Sequence, residues 1–277
     1  MSPIVKGLIL AGIAVAVQLL MELYLIRPLI EMSWGAAAGL GVAGAVLFGM
    51  YGFFVGWKQV YEFGPRTILA FMLDVSWSSI NTVTGLIWMI WCAIRGTFDN
   101  TNAEARKRGI VLFSGKNAAL PGADATTLGT VIGGKWMLHE AVHVQQARIF
   151  GPFYWPAYLI SYASAMIARF ITGRFSDPHW EAYERVVMED WAYRAAPDGA
   201  ATIKIATAVL WFFLALINTL AVAVLFAVVP GLGALPTLIG LAFVPWWIGL
   251  IVIVLYAIGR SFFPKGRLDS WKLIYNS

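Results

Sequence analysis

His139, Glu140 and His143 form an H-E-x-x-H pattern, and two of the chain's three histidines fall in this one stretch. Residues four apart on a helix share a face, so both imidazoles can reach a single metal ion. Glu140 flanks the pair. A carboxylate in that position serves as the general base toward water in metal-dependent hydrolysis, whereas a purely structural metal site has no use for it.

The element that must carry these residues is a helix over 136–150. Gly133-Gly134 precedes it, and Gly151-Pro152 supplies a C-terminal glycine and a stop. Ahead of it lie two candidate strands. Residues 109–113 are apolar and β-branched and are bounded by Ser114-Gly115-Lys116. Residues 126–132 follow the turn signal Pro121-Gly122-Ala123-Asp124. A strand before such a helix is common in zinc peptidases, where its edge can hold an extended substrate.

The surroundings are apolar. Of 277 residues, 60% are hydrophobic and only 13% charged, well below the quarter typical of soluble domains. The chain is therefore expected to be an integral membrane protein. Its net charge of +5 fits basic cytoplasmic loops better than nucleic-acid binding, since no stretch interleaves many basic residues with aromatics. Cys92 is alone, so an internal disulfide is excluded.

The expected fold class is mainly α: a polytopic helical membrane protein of five or six spans, with a small zincin-like helix–strand region between spans. Residues 1–95 form an N-terminal bundle of three spans, Pro3–Ile26, Trp34–Trp57 and 67–94. The first carries Glu22, expected to snorkel or to pair with Arg27. The second has small-xxx-small spacing at Gly35/Gly39 and Gly52/Gly56, and Trp34 and Trp57 at its ends. In the third, Asp74, Ser78 and Asn81 share one helical face. They are either an intramembrane ion or proton site or hydrogen-bonding glue between helices.

Residues 96–204 hold the H-E-x-x-H region, including the basic cluster Arg106-Lys107-Arg108 and a hydrophobic segment over 153–172 that is interfacial, re-entrant or spanning. Residues 205–277 supply a hairpin of two spans, 205–229 and 235–258, and a basic tail. Arg260, Lys265, Arg267 and Lys272 place that tail in the cytoplasm, while the uncharged turn at Pro230 lies outside. Residues 95–150 and 173–204 then lie inside, giving five full spans with the amino terminus outside.

From Thr126 to Tyr183 the chain resembles a known group. The residues are Thr127-Leu128-Gly129-x-Val131-Ile132, then Gln146 three places after His143, Gly151-Pro152-x-x-x-Pro156-Ala157-Tyr158, and Glu181-Ala182-Tyr183. They resemble bacterial membrane-associated proteins with an H-E-x-x-H-x-x-Q core, which are similar in turn to the gluzincin class of zinc metallopeptidases. The resemblance covers about a fifth of the chain and not the flanking spans. It implies His139 and His143 as zinc ligands, Glu140 as catalytic base and Glu181, on a downstream helix, as third ligand. Where the group has Asn-Pro and then two spaced glutamates, this chain reads Asp177-Pro178-His179-Trp180-Glu181, with His179 in the first glutamate's place, which makes His179 the alternative third ligand. Two residues apart, His179 and Glu181 would point about 200° away from each other on a helix, so one excludes the other.

Two functions are consistent with these residues. One is a membrane-embedded zinc-dependent hydrolase, most simply a peptidase acting on a membrane-proximal polypeptide. The other is a non-catalytic subunit of a larger membrane assembly that keeps a structural or vestigial metal site. A transporter using Asp74 is a weaker third. The expected partners are the lipid bilayer and either a polypeptide substrate or other membrane subunits, with no nucleic acid. The expected location is the bacterial inner membrane.

Overall fold

A computed structural model describes residues 1–29, 32–172, 186–196 and Leu216. The expected spans 205–229 and 235–258, the tail, Glu181 and His179 lie outside the described residues.

The described chain is mainly helical, and two helices near the amino terminus are long and apolar enough to cross a membrane. The first runs through Pro3–Ile26. Its α-helical part, α1 (Pro3–Leu20), starts at Ser2, whose hydroxyl accepts the Val5 N–H, with Pro3 at the first position. A π-helical turn, Met21–Ile26, continues it. Ser33 caps α2 (Trp34–Trp57) in the same way. The two helices pack closely along the expected glycines. A methyl on Gly52 would stand 2.7 Å from the Leu10 carbonyl oxygen, and one on Gly56 would be 2.7 Å from Gly7 Cα. Gly35 and Gly39, by contrast, face nothing within 4 Å among the described residues. Arg27 stacks 3.7 Å over the Trp34 ring, and among the described residues no ion pair joins it to Glu22.

The third expected span is not one straight helix. It divides into α3 (Pro65–Asp74) and α4 (Ser79–Arg95), bent by 88° at the break between them. Carbonyls freed by such a break in an apolar setting need partners. Thr82 Oγ1 donates to the Asp74 carbonyl at 2.7 Å, and the Gln18 side-chain amide of α1 donates to the Val75 carbonyl.

A four-stranded sheet follows, in the order β1-β2-β4-β3: β1 (Thr97–Phe98), β2 (Val111–Ser114), β3 (Ala125–Leu128) and β4 (Val131–Gly134). A short helix, α5 (Ala103–Arg108), lies between β1 and β2, with Asn102 as cap and the basic cluster in its last turn. β2 and β4 are parallel with Leu112 opposite Ile132, and β3 and β4 form an antiparallel hairpin with Thr127 opposite Ile132. The single strand expected over 126–132 is thus two strands. Gly129 turns the chain at φ +57°, and a methyl there would collide with the Asn81 carbonyl of α4, so both the turn and the close approach require glycine.

The helix carrying the motif, α6 (Leu138–Phe150), ends at Gly151, where φ is +54°. Ala141 and Val144 pack on the sheet against Ile110, Leu112 and Ile132. After a 3-10 turn, α7 (Tyr154–Thr172) fills the 153–172 segment. It buries Tyr154, Tyr158, Ser161, Tyr162 and Ala165 while exposing Ile167, Phe170 and Ile171. α8 (Val187–Ala195) completes the described chain, and its Val187 N–H donates to Ser161 Oγ of α7 at 2.8 Å.

Candidate metal centre

The bend between α3 and α4 is where the third segment holds α6. Ser78 Oγ donates to the Ala147 carbonyl at 2.9 Å, Asn81 Nδ2 donates to Ala147 and Gly151 carbonyls at 3.2 and 2.7 Å, and Trp77 Nε1 donates to Ile149 at 3.1 Å. A helix leaves its last carbonyls without intrahelical partners, and here the bend supplies them. Asp74 completes the contact. Arg148 of α6 donates from Nε and Nη2 to its two carboxylate oxygens at 2.8 Å each, and Tyr61 Oη donates to Oδ2 at 2.6 Å. Asp74, Ser78 and Asn81 do not share one helical face as expected, because the helix breaks after Asp74 and resumes at Ser79, yet all three bond to the motif helix, as glue between helices would.

That anchoring fixes the direction in which His139 and His143 point. Their Nε2 atoms are 3.1 Å apart, and each lies 3.4 Å from Glu189 Oε2. All three side chains are buried. Glu189 sits in the first turn of α8, where a carboxylate is favoured by the helix dipole. Its other oxygen, Oε1, accepts from Tyr158 Oη at 3.1 Å. Gln146, on the histidine face of α6 and fully buried, bridges His143 Nδ1 at 2.9 Å and the Met188 carbonyl at 2.8 Å. The Tyr193 ring lies 4.4 Å from that of His139.

Glu140 stands beside this triangle rather than in it. Thr127 Oγ1 of β3 lies 2.6 Å from Glu140 Oε2, to which it donates, and 3.2 Å from the Glu140 carbonyl. The side chain is only part-buried, unlike the histidines. β3 does lie at the sheet edge next to α6, but all four of its residues are buried.

Electrostatically the triangle calls for a cation. Burial works against charge on His143, yet the Glu189 carboxylate, helped by Glu140 and Gln146, overrides it and the imidazole is pushed up to about 9. Burial likewise opposes charge on Glu189, and the two histidines overcome it, holding the carboxyl well below the usual range.

Geometry then tests whether a metal fits. Tetrahedral zinc with ligand bonds of about 2.0–2.2 Å sets its donor atoms roughly 3.3–3.5 Å apart. The observed edges are 3.1, 3.4 and 3.4 Å. Among the described residues Glu189 Oε2 and His139 Nδ1 have no hydrogen-bond partner, and a buried carboxylate oxygen left so is costly unless something binds it. His139, His143 and Glu189 together could hold a metal ion.

His139, Glu140 and His143 lie on one helix, as their spacing predicts, and Glu181 and His179, the expected third donors, lie outside the described residues. Glu189, which lies against both histidines, carries no motif of its own in the sequence. A signal was present, since Met188, Ala192 and Ala196 recur four residues apart and mark the buried stripe beside which Glu189 sits. No family model, curated protein or solved structure matches the chain.

Proposed function

We propose that this chain is a membrane-embedded zinc-dependent hydrolase, a metallopeptidase of gluzincin type acting on a membrane-proximal polypeptide. His139, His143 and Glu189 are the ligands, and Glu140 is the catalytic base. One observation carries the proposal. Glu140 flanks a three-donor triangle without joining it, held by Thr127 where it can receive a proton. Three protein donors are characteristic of catalytic zinc and four of structural zinc.

When bound, zinc would supply a Lewis acid to polarise the scissile carbonyl and would lower the pKa of water toward about 7. Glu140 takes a proton from water as the water oxygen bonds to the carbonyl carbon. It returns that proton to the amide nitrogen as the C–N bond breaks. Thr127 holds the Glu140 carboxylate, and Tyr158 holds the Glu189 oxygen that faces away from the triangle. The proposal includes five spans with the amino terminus outside and a place in the bacterial inner membrane, and the two helices long and apolar enough to cross a membrane support it.

Glu140→Gln should keep the parent's zinc content, read by mass spectrometry of the detergent-purified chain. It should lower hydrolysis of a quenched-fluorescence peptide mixture by at least about 100-fold. Zinc with hydrolysis that does not depend on Glu140, or with none in the parent, would favour the non-catalytic membrane subunit instead.

A pH dependence follows from His143. In the metal-free protein its proton is held to about pH 9, so zinc must displace it. Zinc affinity should climb about tenfold per pH unit between 7 and 9 and level off above. The sign for folding without metal is opposite. A raised histidine contributes stability that is complete below 6.5 and lost as pH rises through about 9. Chelator competition across pH reads the first effect. Affinity that stays flat from 7 to 9 would contradict it.

A further inference from the structure

Gln146 carries two hydrogen bonds of opposite polarity, and together they fix its orientation. The Met188 carbonyl can only accept, so the side chain must present its NH2 there, at 2.8 Å. The amide oxygen is then the atom 2.9 Å from His143 Nδ1, and it can only accept. Nδ1 must therefore carry a proton. Neutral His143 is left with its lone pair on Nε2, the atom that faces His139 and Glu189. Because Met188 is the residue before Glu189, the same amide also ties the helix bearing the third donor to the helix bearing the other two.

The geometry points to Gln146 as a positioning residue of the metal centre: it sets the His143 tautomer for binding through Nε2 and clamps α8 against α6 so that Glu189 closes the triangle. This rests on the ligand set proposed above. It assigns no contact between Gln146 and metal or substrate. Partners that hold a ligating histidine's second nitrogen are worth about 10- to 100-fold in metal affinity.

Two variants of the full chain separate the functions. Gln146→Met keeps the length and loses both hydrogen bonds. Gln146→Glu keeps an acceptor for His143 Nδ1–H but sets a second oxygen against the Met188 carbonyl. Zinc affinity is measured by chelator competition, and the imidazole tautomers by 15N NMR on histidine-labelled protein, which has only three such rings. In the zinc-loaded parent, the His143 proton should be on Nδ1. Zinc should bind about 10- to 100-fold more weakly to both variants, with the hydrogen-bonded Nδ1–H signal kept in Gln146→Glu and lost in Gln146→Met. A zinc-loaded parent with the His143 proton on Nε2 overturns the inference even if neither variant folds. So does a folded Gln146→Met that binds within threefold of the parent. Either result leaves the hydrolase proposal standing, since that fails on a parent without zinc or on Glu140-independent hydrolysis.

Discussion

Glu189→Ala should strip the protein of zinc, while Glu181→Ala and His179→Ala should stay near one zinc per chain. The size of the effect follows from what remains. Without Glu189 two neutral imidazoles are the donors left among the described residues, and the carboxylate that would balance a divalent charge between these buried side chains is gone. Catalytic zinc takes three protein donors, so a two-donor remnant should lose at least about 1000-fold in affinity and empty on dialysis. Glu189→Gln is the sharper comparison. It keeps the shape and the acceptor for Tyr158 but lacks the charge, and it should bind weakly rather than not at all. Zinc per chain in purified, monodisperse protein decides the matter. Retention in Glu189→Ala with loss in Glu181→Ala would move the third ligand to Glu181, and loss in His179→Ala would move it to His179.

Why the histidine pair was legible and the nearness of Glu189 to it was not is a matter of range. His139 and His143 are brought together by one turn of one helix, so their spacing in sequence is their spacing in space. Glu189 lies 3.4 Å from both because α8 packs against α6 and its Val187 N–H is received by Ser161 of α7. The apolar stripe of α8 marks a buried face, but no local periodicity says which helix that face meets. The first two membrane helices were legible from length and apolar composition alone. The third segment was not, because hydropathy averages over the break at Val75–Ser78, whose freed carbonyls find partners on Gln18 and Thr82. The hairpin was missed for a similar reason. Thr127-Leu128 and Val131-Ile132 are all good strand formers, and only the positive φ of Gly129 turns them back. Asp74 was recognised as exceptional within an apolar segment, but sequence offers no way to see that its partner would be Arg148, in the last turn of the motif helix.

That pair carries the other large effect. Asp74→Leu and Arg148→Met should each destabilise the fold by about 3–5 kcal/mol, because each leaves an uncompensated charge in the interior. In a thermal melt of the detergent-purified chain this corresponds to a loss on the order of 10 °C. Asp74→Asn should fall in the same direction, since it keeps an acceptor but leaves the guanidinium unpaired. The double variant Asp74→Leu/Arg148→Met should recover part of the loss, as apolar replacements of buried pairs commonly do. Recovery should stop short of the parent for an identifiable reason. Arg148 also donates to the carbonyls of Arg108 and Gly109 at 2.7 and 2.8 Å, and methionine leaves both orphaned at about 1–3 kcal/mol apiece. Tyr61, by contrast, keeps its bond to Tyr51 when Asp74 is gone. Single variants that melt within about 2 °C of the parent would show that the pair is not what seats α6 on the bend. If it is, zinc affinity in the single variants should fall along with the melting temperature, because Arg148 fixes the far end of the helix that aims His139 and His143.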